Sequence, residues 1–213
     1  MPTYQSTGLT SRQSALAANV AAYVSLVIDR SESMSSLRSK VIEATNKLIA
    51  DQQKTGGQAF LSLATFGGSV SMVADAVPVA QIQPLTEESY APFGGTALND
   101  GVGLSIQAIG KHAVRRSRVL IAIVTDGEEN SSRQFSISDV RDMVGYRRAS
   151  HDWQFIFIGP ASSFSYARKI EIPDRNIVEL DSDIGQLLDR LSKAVGAFLL
   201  GDSRYVLRLH DKT

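Results

Sequence analysis

Residues 21–28 read AAYVSLVI, and the polar run DRSES follows them directly at 29–33. The apolar run is dominated by valine, leucine and isoleucine and does not alternate with polar residues. This pattern is typical of a strand that is buried on both faces, as in a parallel sheet covered by helices. The polar run therefore begins at the carboxyl end of a buried strand, which is where open α/β sheets bind their ligands.

Apolar runs and amphipathic segments alternate along the rest of the chain. Strand-like runs lie at 60–66, 119–124, 155–158 and 176–180, and helical spacing of apolar residues lies over 37–48, 98–109, 137–144, 164–169 and 184–198. Gly67-Gly68 is a hairpin signal, and the alternating segment at 70–74 behind it is predicted to be an antiparallel edge strand. We therefore predict an α/β fold: a doubly wound, mostly parallel central sheet with one antiparallel edge strand and helices on both faces.

The chain is predicted to form one domain, because no interior stretch has the composition of a linker. We assign residues 20–200 to this domain. Residues 1–19 are rich in Ser, Thr and Gln and carry one charge, which predicts a flexible N-terminal arm. Residues 201–213 form a C-terminal tail whose secondary structure is not assigned from the sequence.

The composition excludes several classes of function. The chain has 213 residues, with 22 basic and 22 acidic side chains and no cysteine. Nucleic-acid-binding domains usually carry a basic excess, so no nucleic-acid partner is expected. Without cysteine there are no disulfides, zinc–thiolate sites or thiol nucleophiles. The apolar run at 20–28 is too short to cross a membrane and lacks the flanks of a secretory signal, so we expect a cytoplasmic protein with no membrane partner.

Five oxygen-bearing side chains stand near strand ends or helix starts. Asp29, Ser31 and Ser33 follow the first strand at a spacing of two. Asp126 follows another apolar strand, and Thr96 ends a glycine-containing loop before a helix. In the usual doubly wound order the strands before the two aspartates are neighbours, about 4.8 Å apart. Two carboxylates that close repel each other unless a cation lies between them, and a hard divalent cation takes oxygen ligands.

This ordered set of residues resembles the metal-ion-dependent adhesion site (MIDAS) of von Willebrand factor A (vWA) domains, which have a Rossmann-like fold. The surrounding segments VIDRSESM at 27–34, GGTALNDGV at 94–102 and VTDGEEN at 124–130 resemble those of bacterial intracellular stand-alone vWA proteins of the tellurite-resistance type. The resemblance covers residues 21–200, with every position of the motif present and in order.

The resemblance implies that the hydroxyls of Ser31, Ser33 and Thr96 bind the ion directly. Asp29 and Asp126 would act through bound water or as switchable ligands, and one coordination position would stay open for a Glu or Asp of a partner protein. The expected ion is Mg²⁺, and Mn²⁺ and Ca²⁺ also suit an oxygen ligand set. Because only two carboxylates balance the charge, we expect a modest metal affinity, with Kd roughly 10⁻⁴–10⁻³ M.

Residues beside the motif are candidates for contact with a partner. Arg30 and Glu32 occupy its intervening positions, and Glu128 follows its last aspartate closely. Tyr90 and Phe93 lie in the loop, rich in Pro and Gly, that precedes the threonine. We assign these five residues to a partner-binding rim. For the two aromatic residues, packing within the loop is the competing interpretation.

Other polar residues are given ordinary roles. Asp100, Glu128 and Glu129 are expected to be solvent-exposed acids, because charged side chains are rarely buried. His112, His151 and His210 are scattered and lack the spacing of a zinc site.

The functional hypothesis is a non-enzymatic, divalent-cation-dependent protein-interaction module that serves as a scaffold or adaptor. The resemblance associates such modules with stress response and tellurite resistance, and with an ATPase or a kinase–phosphatase partner. The alternative is a Mg²⁺-dependent phosphoryl-transfer hydrolase that uses Asp29. That family requires a second aspartate two positions later as general acid, where this chain has Ser31.

Overall fold

The computed structural model describes residues 20–54, 58–114, 116–150, 152–180, 183–202, 204–206 and 209. The predicted arm at 1–19 lies outside the described residues, as do His151, His210 and most of the predicted tail at 201–213.

The described chain alternates strands and helices, as the apolar pattern predicts. The strands are β1 (Ala22–Asp29), β2 (Ala59–Phe66), β3 (Val70–Pro78), β4 (Arg118–Val124), β5 (Trp153–Gly159) and β6 (Ile177–Glu179). The α-helices are α1 (Arg38–Gln53), α2 (Leu98–His112), α3 (Ile137–Arg148), α4 (Phe164–Lys169) and α5 (Ile184–Leu199). A short 3₁₀ helix at Glu32–Leu37 joins β1 to α1.

The six strands form one sheet in the order β3-β2-β1-β4-β5-β6. All neighbouring pairs are parallel except β2 and β3, so the predicted antiparallel edge strand is confirmed. The predicted pairing of the first strand with the 119–124 strand is also confirmed, because Ile28 lies opposite Val124 in the register of β1 and β4. The residues that follow these two strands therefore leave the sheet at the same level.

Helices cover both faces of the sheet and enclose two apolar cores. One core lies under α1 and α5, and the other lies under α2, α3 and α4. Every residue of β1 is buried, which explains why its sequence lacks alternation. The predicted doubly wound α/β fold is thus confirmed. None of the helices in the described ranges has the length and hydropathy of a membrane span.

Helix α2 sits unusually close to the sheet, and this approach fixes the start of the helix beside the carboxyl end of β2. A Cβ atom at Gly101 would lie 2.9 Å from the ring of Phe66, which is fully buried. At Gly145 in α3, by contrast, the nearest atom is the end of the exposed Glu171 side chain, at 3.1 Å. Of these two positions, only Gly101 therefore needs a residue without a side chain, because its neighbour is a buried ring that cannot move aside.

We predict that Gly101→Ala destabilises the protein, because overpacking a core costs about 1–3 kcal/mol and outweighs the helix propensity that alanine adds, about 1 kcal/mol. The melting temperature Tm, followed by circular dichroism, should fall by a few degrees. Gly145→Ala is the matched control and should leave Tm unchanged or raise it. If both variants raise Tm, the close approach of α2 does not constrain the fold.

Candidate metal centre

Three segments meet at the carboxyl end of the parallel strands. They are the loop after β1, the loop after β4, and the segment that leads into α2. The first two meet because β1 and β4 are neighbours in register. The third is joined to the first by two backbone hydrogen bonds, from Phe93 N to Arg30 O at 2.8 Å and from Glu32 N to Gly94 O at 3.0 Å. The five predicted site residues lie on these segments.

Four of those residues form a continuous chain of polar contacts. The Oδ1 atom of Asp29 accepts a hydrogen bond from the backbone N–H of Ser31 at 2.7 Å. The Oγ atoms of Ser31 and Ser33 are 3.0 Å apart, and Ser33 Oγ donates to Asp126 Oδ1 at 2.8 Å. Because Ser31 has extended backbone dihedrals, the alternate residues after β1 project toward the same place, as their spacing predicts.

Thr96 reaches the same area from the third segment. Its Oγ1 lies 3.3 Å from the point where a Cβ atom of Gly127 would stand, so its hydroxyl faces the residue next to Asp126. Two hydrogen bonds hold it there: Thr96 N donates to Asn130 Oδ1 at 2.8 Å, and Asn130 N donates to Thr96 O at 3.0 Å. The threonine is buried, while Ser33 is exposed. The cluster therefore opens toward solvent on the side of Ser33.

The electrostatics of the cluster are dominated by Asp29, whose exposed fraction is 0%. Thr125 Oγ1 donates to Asp29 Oδ2 at 2.6 Å. Burial raises the pKa of Asp29, the hydrogen bonds from Thr125 and Ser31 lower it, and the charge of Asp126 raises it further. Within the described ranges, neither aspartate forms an ion pair with a Lys, Arg or His side chain.

A buried carboxylate with no counter-charge is unfavourable, so this arrangement suits a bound cation. The donor set fits a hard divalent ion, because it consists of two carboxylates and three hydroxyls without nitrogen or sulfur. The described chain holds no cluster of three or more His, Asp and Glu side chains that could bind a metal in another way. The hydroxyls of Ser31, Ser33 and Thr96, with the two carboxylates, are the groups that would hold the ion.

The prediction that Tyr90 lies on an exposed rim is wrong. Its side chain has an exposed fraction of 0%, and its hydroxyl donates to the backbone O of Asp29 at 2.6 Å. Burial raises the pKa of the phenol, with the charges of Asp29 and Asp126 adding to the effect. A buried tyrosine needs a hydrogen-bond partner for its hydroxyl, and here that partner is the end of β1. Tyr90 thus holds the carboxyl end of β1 through a hydrogen bond.

The other residues assigned to the rim are at least partly accessible. Phe93 is 67% exposed, and Glu32 and Glu128 are exposed. Arg30 is half-buried, and its guanidinium donates to the backbone O of Ala91 at 3.3 Å. This arginine therefore connects the loop after β1 to the segment that carries Phe93.

The expectation that Asp100 and Glu129 are solvated acids is also wrong. Asp100 is 6% exposed, and Glu129 is half-buried. Both carboxylates are occupied by backbone N–H groups of the β4–α3 loop, which is why they tolerate burial. The expectation does hold for Glu128.

Sequence reasoning overlooked Thr125 and Asn130. Thr125 binds Asp29 across the β1–β4 pair, and Asn130 fastens Thr96. The sequence did contain a signal for Thr125. This threonine follows β4 and directly precedes Asp126, so its hydroxyl lies at the same edge of the sheet as the motif. Nothing in the local sequence indicates the partner of Asn130.

No family model matches the chain, and no curated protein matches it. Solved structures do match. The vWF domain of the type V pili tip protein Mfa5 from Porphyromonas gingivalis superposes with a TM-score of 0.65 at 10% identity, over 84% of this chain and 96% of that one.

Two longer proteins match as well. The PilB minor pilin from Streptococcus sanguinis gives a TM-score of 0.60 at 12% identity, over 86% of this chain and 62% of that one. The proximal thread matrix protein 1 from the mussel byssus, in a structure with a zinc-occupied MIDAS motif, gives 0.57 at 14% identity, over 84% of this chain and 46% of that one. The chain thus spans about half to three fifths of the length of these two proteins. At such low identities the likeness concerns architecture alone: the chain has the fold of von Willebrand factor A domains.

Proposed function

We propose that the chain is a protein-interaction module whose bound divalent cation accepts an acidic side chain of a partner protein. The observation that carries the proposal is the buried Asp29 carboxylate, which has no counter-cation in the described chain and is linked through Ser31 and Ser33 to Asp126. A cation at this position would balance both carboxylates. The zinc-occupied MIDAS of the mussel protein supports a divalent ion on this fold.

The proposed ligands suit a metal site that leaves one coordination position open for a partner, rather than a site in which this chain supplies every ligand. When bound, the ion would supply a Lewis-acidic centre for one further carboxylate. Two aspartates cancel a charge of 2+, and the three hydroxyls add no negative charge, so a Glu or Asp of the partner is attracted rather than repelled. We propose Mg²⁺ as the ion, because the ligands are all oxygen atoms.

The exposed residues around the cluster would contact the partner. Of these, Phe93 would contribute most to the binding free energy. Its ring is exposed, but its backbone is fixed, since Phe93 N donates to Arg30 O at 2.8 Å and Gly68 N donates to Phe93 O at 3.2 Å. An aromatic side chain on a rigid backbone loses little entropy on binding. Glu32 and Glu128 would repel acidic segments that do not reach the metal.

The wider setting of this function rests on the resemblance seen in the sequence. It favours a bacterial cytoplasmic scaffold connected with stress response or tellurite resistance, working with an ATPase or a kinase–phosphatase pair. These assignments stay predictions, as does the identity of the partner.

We propose that the chain is not an enzyme. In the phosphoryl-transfer alternative Asp29 would be the nucleophile, and its carboxylate would have to be accessible to a phosphoryl substrate. Here Oδ1 accepts from Ser31 N and Oδ2 accepts from Thr125 Oγ1, and the side chain is fully buried. Its carbonyl oxygen is also engaged, by the Tyr90 hydroxyl. An anchored, inaccessible carboxylate suits the role of a structural anion better than that of a nucleophile.

We predict that Mg²⁺ and Mn²⁺ stabilise the protein against heat. At ten times Kd the gain is about 1.4 kcal/mol, which for a chain of this size raises Tm by roughly 3–6 °C. Asp29→Asn should abolish the increase. Asp142→Asn, which changes an exposed acid on α3, should retain it. A parent protein whose Tm ignores both ions and EDTA would contradict the metal proposal.

We predict opposite pH dependences with and without metal. Burial raises the folded-state pKa of Asp29 above the ordinary value of 3.8, so the folded protein holds its proton to higher pH than the unfolded chain. In EDTA the contribution of Asp29 to stability is therefore greatest below pH 3.8 and decreases as pH rises through the folded pKa. Protons compete with metal, so the Mg²⁺-dependent increase in Tm should grow with pH. Tm scans of the parent and Asp29→Asn measure both trends, and a metal effect independent of pH would contradict this assignment.

We predict that capture of a partner from the source cell depends on metal and on the rim. A tagged parent protein should retain a partner in Mg²⁺ and release it in EDTA. Thr96→Ala should abolish capture, and Phe93→Ala should weaken it while leaving the metal-dependent Tm increase unchanged. Tyr146→Ala, which changes another exposed aromatic residue on α3, is the control. Equal capture by Thr96→Ala and the parent would overturn the adhesive role.

A further inference from the structure

One buried and one half-buried acid, Asp100 and Glu129, connect the β4–α3 loop to the start of α2. Asp100, in the first turn of α2, accepts three backbone hydrogen bonds from the loop. Its Oδ2 accepts from Arg133 N at 2.9 Å, and its Oδ1 accepts from Gln134 N and Phe135 N, both at 2.9 Å. One carboxylate thus holds three consecutive peptide groups of a different segment.

Glu129 makes the reciprocal contacts from the loop. Its Oε1 accepts from the N–H groups of Ser131 and Ser132, at 3.0 and 2.8 Å. Its Oε2 accepts from Asn99 N at 2.8 Å and from Ser132 Oγ at 2.7 Å. Ser132 Oγ in turn accepts from Asp100 N at 3.0 Å, so this hydroxyl links the Glu129 carboxylate to the backbone of Asp100. We call Asp100, Glu129 and Ser132 the acidic clamp.

The clamp is strong because its acceptors are charged and shielded. Hydrogen bonds to carboxylates are about twice as strong as neutral ones, and low exposure increases the effect. Neither acid forms an ion pair with a cation of the described chain. Their charge is balanced by backbone N–H groups, some of them at the amino end of α2, where the helix dipole favours an anion. The loop conformation and the charged acids therefore depend on each other.

The two segments that the clamp joins are the ones that carry Thr96 and Asp126. Thr96 precedes Asp100 by four residues, and Asp126 precedes Glu129 by three. Asn130 adds a third fastening through its paired hydrogen bonds with Thr96. A shift of the loop relative to α2 would change the separation between the Thr96 hydroxyl and the Asp126 carboxylate.

We propose that the acidic clamp is a positioning device for the metal centre: Asp100, Glu129 and Ser132 preset the spacing of Thr96 and Asp126 so that a cation binds without rearrangement. This inference rests on the proposed function, because it presupposes a metal at the cluster. The clamp residues are not among the five side chains that would hold the ion, and their carboxylates accept backbone N–H groups of the loop and of α2.

The experiment measures Mn²⁺ affinity by calorimetry, with Mn²⁺ alone as the probe, at a temperature where each variant is folded in EDTA. Glu129→Gln and Ser132→Ala both break the clamp, and the serine change leaves every charge in place. Glu88→Gln is the matched control, because this acid is exposed and makes no hydrogen bond or ion pair within the described structure. It removes the same charge without touching the clamp or the rim.

We expect Kd for Mn²⁺ to rise roughly tenfold or more in Glu129→Gln and several-fold in Ser132→Ala, as is usual for groups that orient metal ligands. Glu88→Gln should change Kd less than about twofold, because an exposed charge is screened. If Glu129→Gln does not fold, the serine variant decides alone. Clamp variants that bind Mn²⁺ as tightly as Glu88→Gln overturn the positioning role but leave the metal proposal intact. A parent protein that binds no Mn²⁺ overturns both.

Discussion

The rest of this structure depends on one buried anion, the carboxylate of Asp29 at the end of the central strand β1. Its two oxygens are held by Ser31 N and Thr125 Oγ1, and its carbonyl oxygen by the Tyr90 hydroxyl. These contacts orient the charge but do not neutralise it. Because a buried charge without a counter-charge is costly, a cation bound beside Asp29 would be stabilising, and the cluster opens toward solvent on the side of Ser33.

The sheet and its connections keep the surroundings of this anion rigid. Parallel pairing in register brings the loops after β1 and β4 together, and close backbone contacts add the segment before α2. Gly67 shows how tight these contacts are, since a Cβ atom there would lie 2.5 Å from the carbonyl oxygen of Phe93 and 2.9 Å from that of Arg30. The acidic clamp then joins the β4–α3 loop to α2. A cation held by only two charged ligands would gain little binding free energy. The surrounding segments therefore need to be in place before the ion binds, because rearranging them would cost part of that free energy.

Local sequence patterns predicted the strands that are buried on both faces, which appear as continuous apolar runs, and the helices, which appear as helical spacing of apolar residues. The antiparallel edge strand and the adjacency of β1 and β4 follow from such patterns and from chain-connection rules, and the structure adds the complete order of the six strands. The errors concern Tyr90, Asp100 and Glu129, which were assigned to the solvent. Residue type suggested exposure in each case, but a backbone carbonyl or a row of N–H groups from a distant segment supplied the partner that makes burial favourable.

The order of residue types along the chain is sufficient to specify the alternating α/β architecture and the five oxygen-bearing side chains of the motif, because hydrophobic periodicity and strand-end positions are local properties. The depth of Asp29, the support from Tyr90 and Thr125, and the clamp between α2 and the β4–α3 loop arise only on folding. They depend on contacts between segments that lie 30 or more residues apart. Short-range sequence patterns do not predict such contacts. Each partner is a polar group of a common type, and nothing in its local sequence indicates which distant group it will bind after folding.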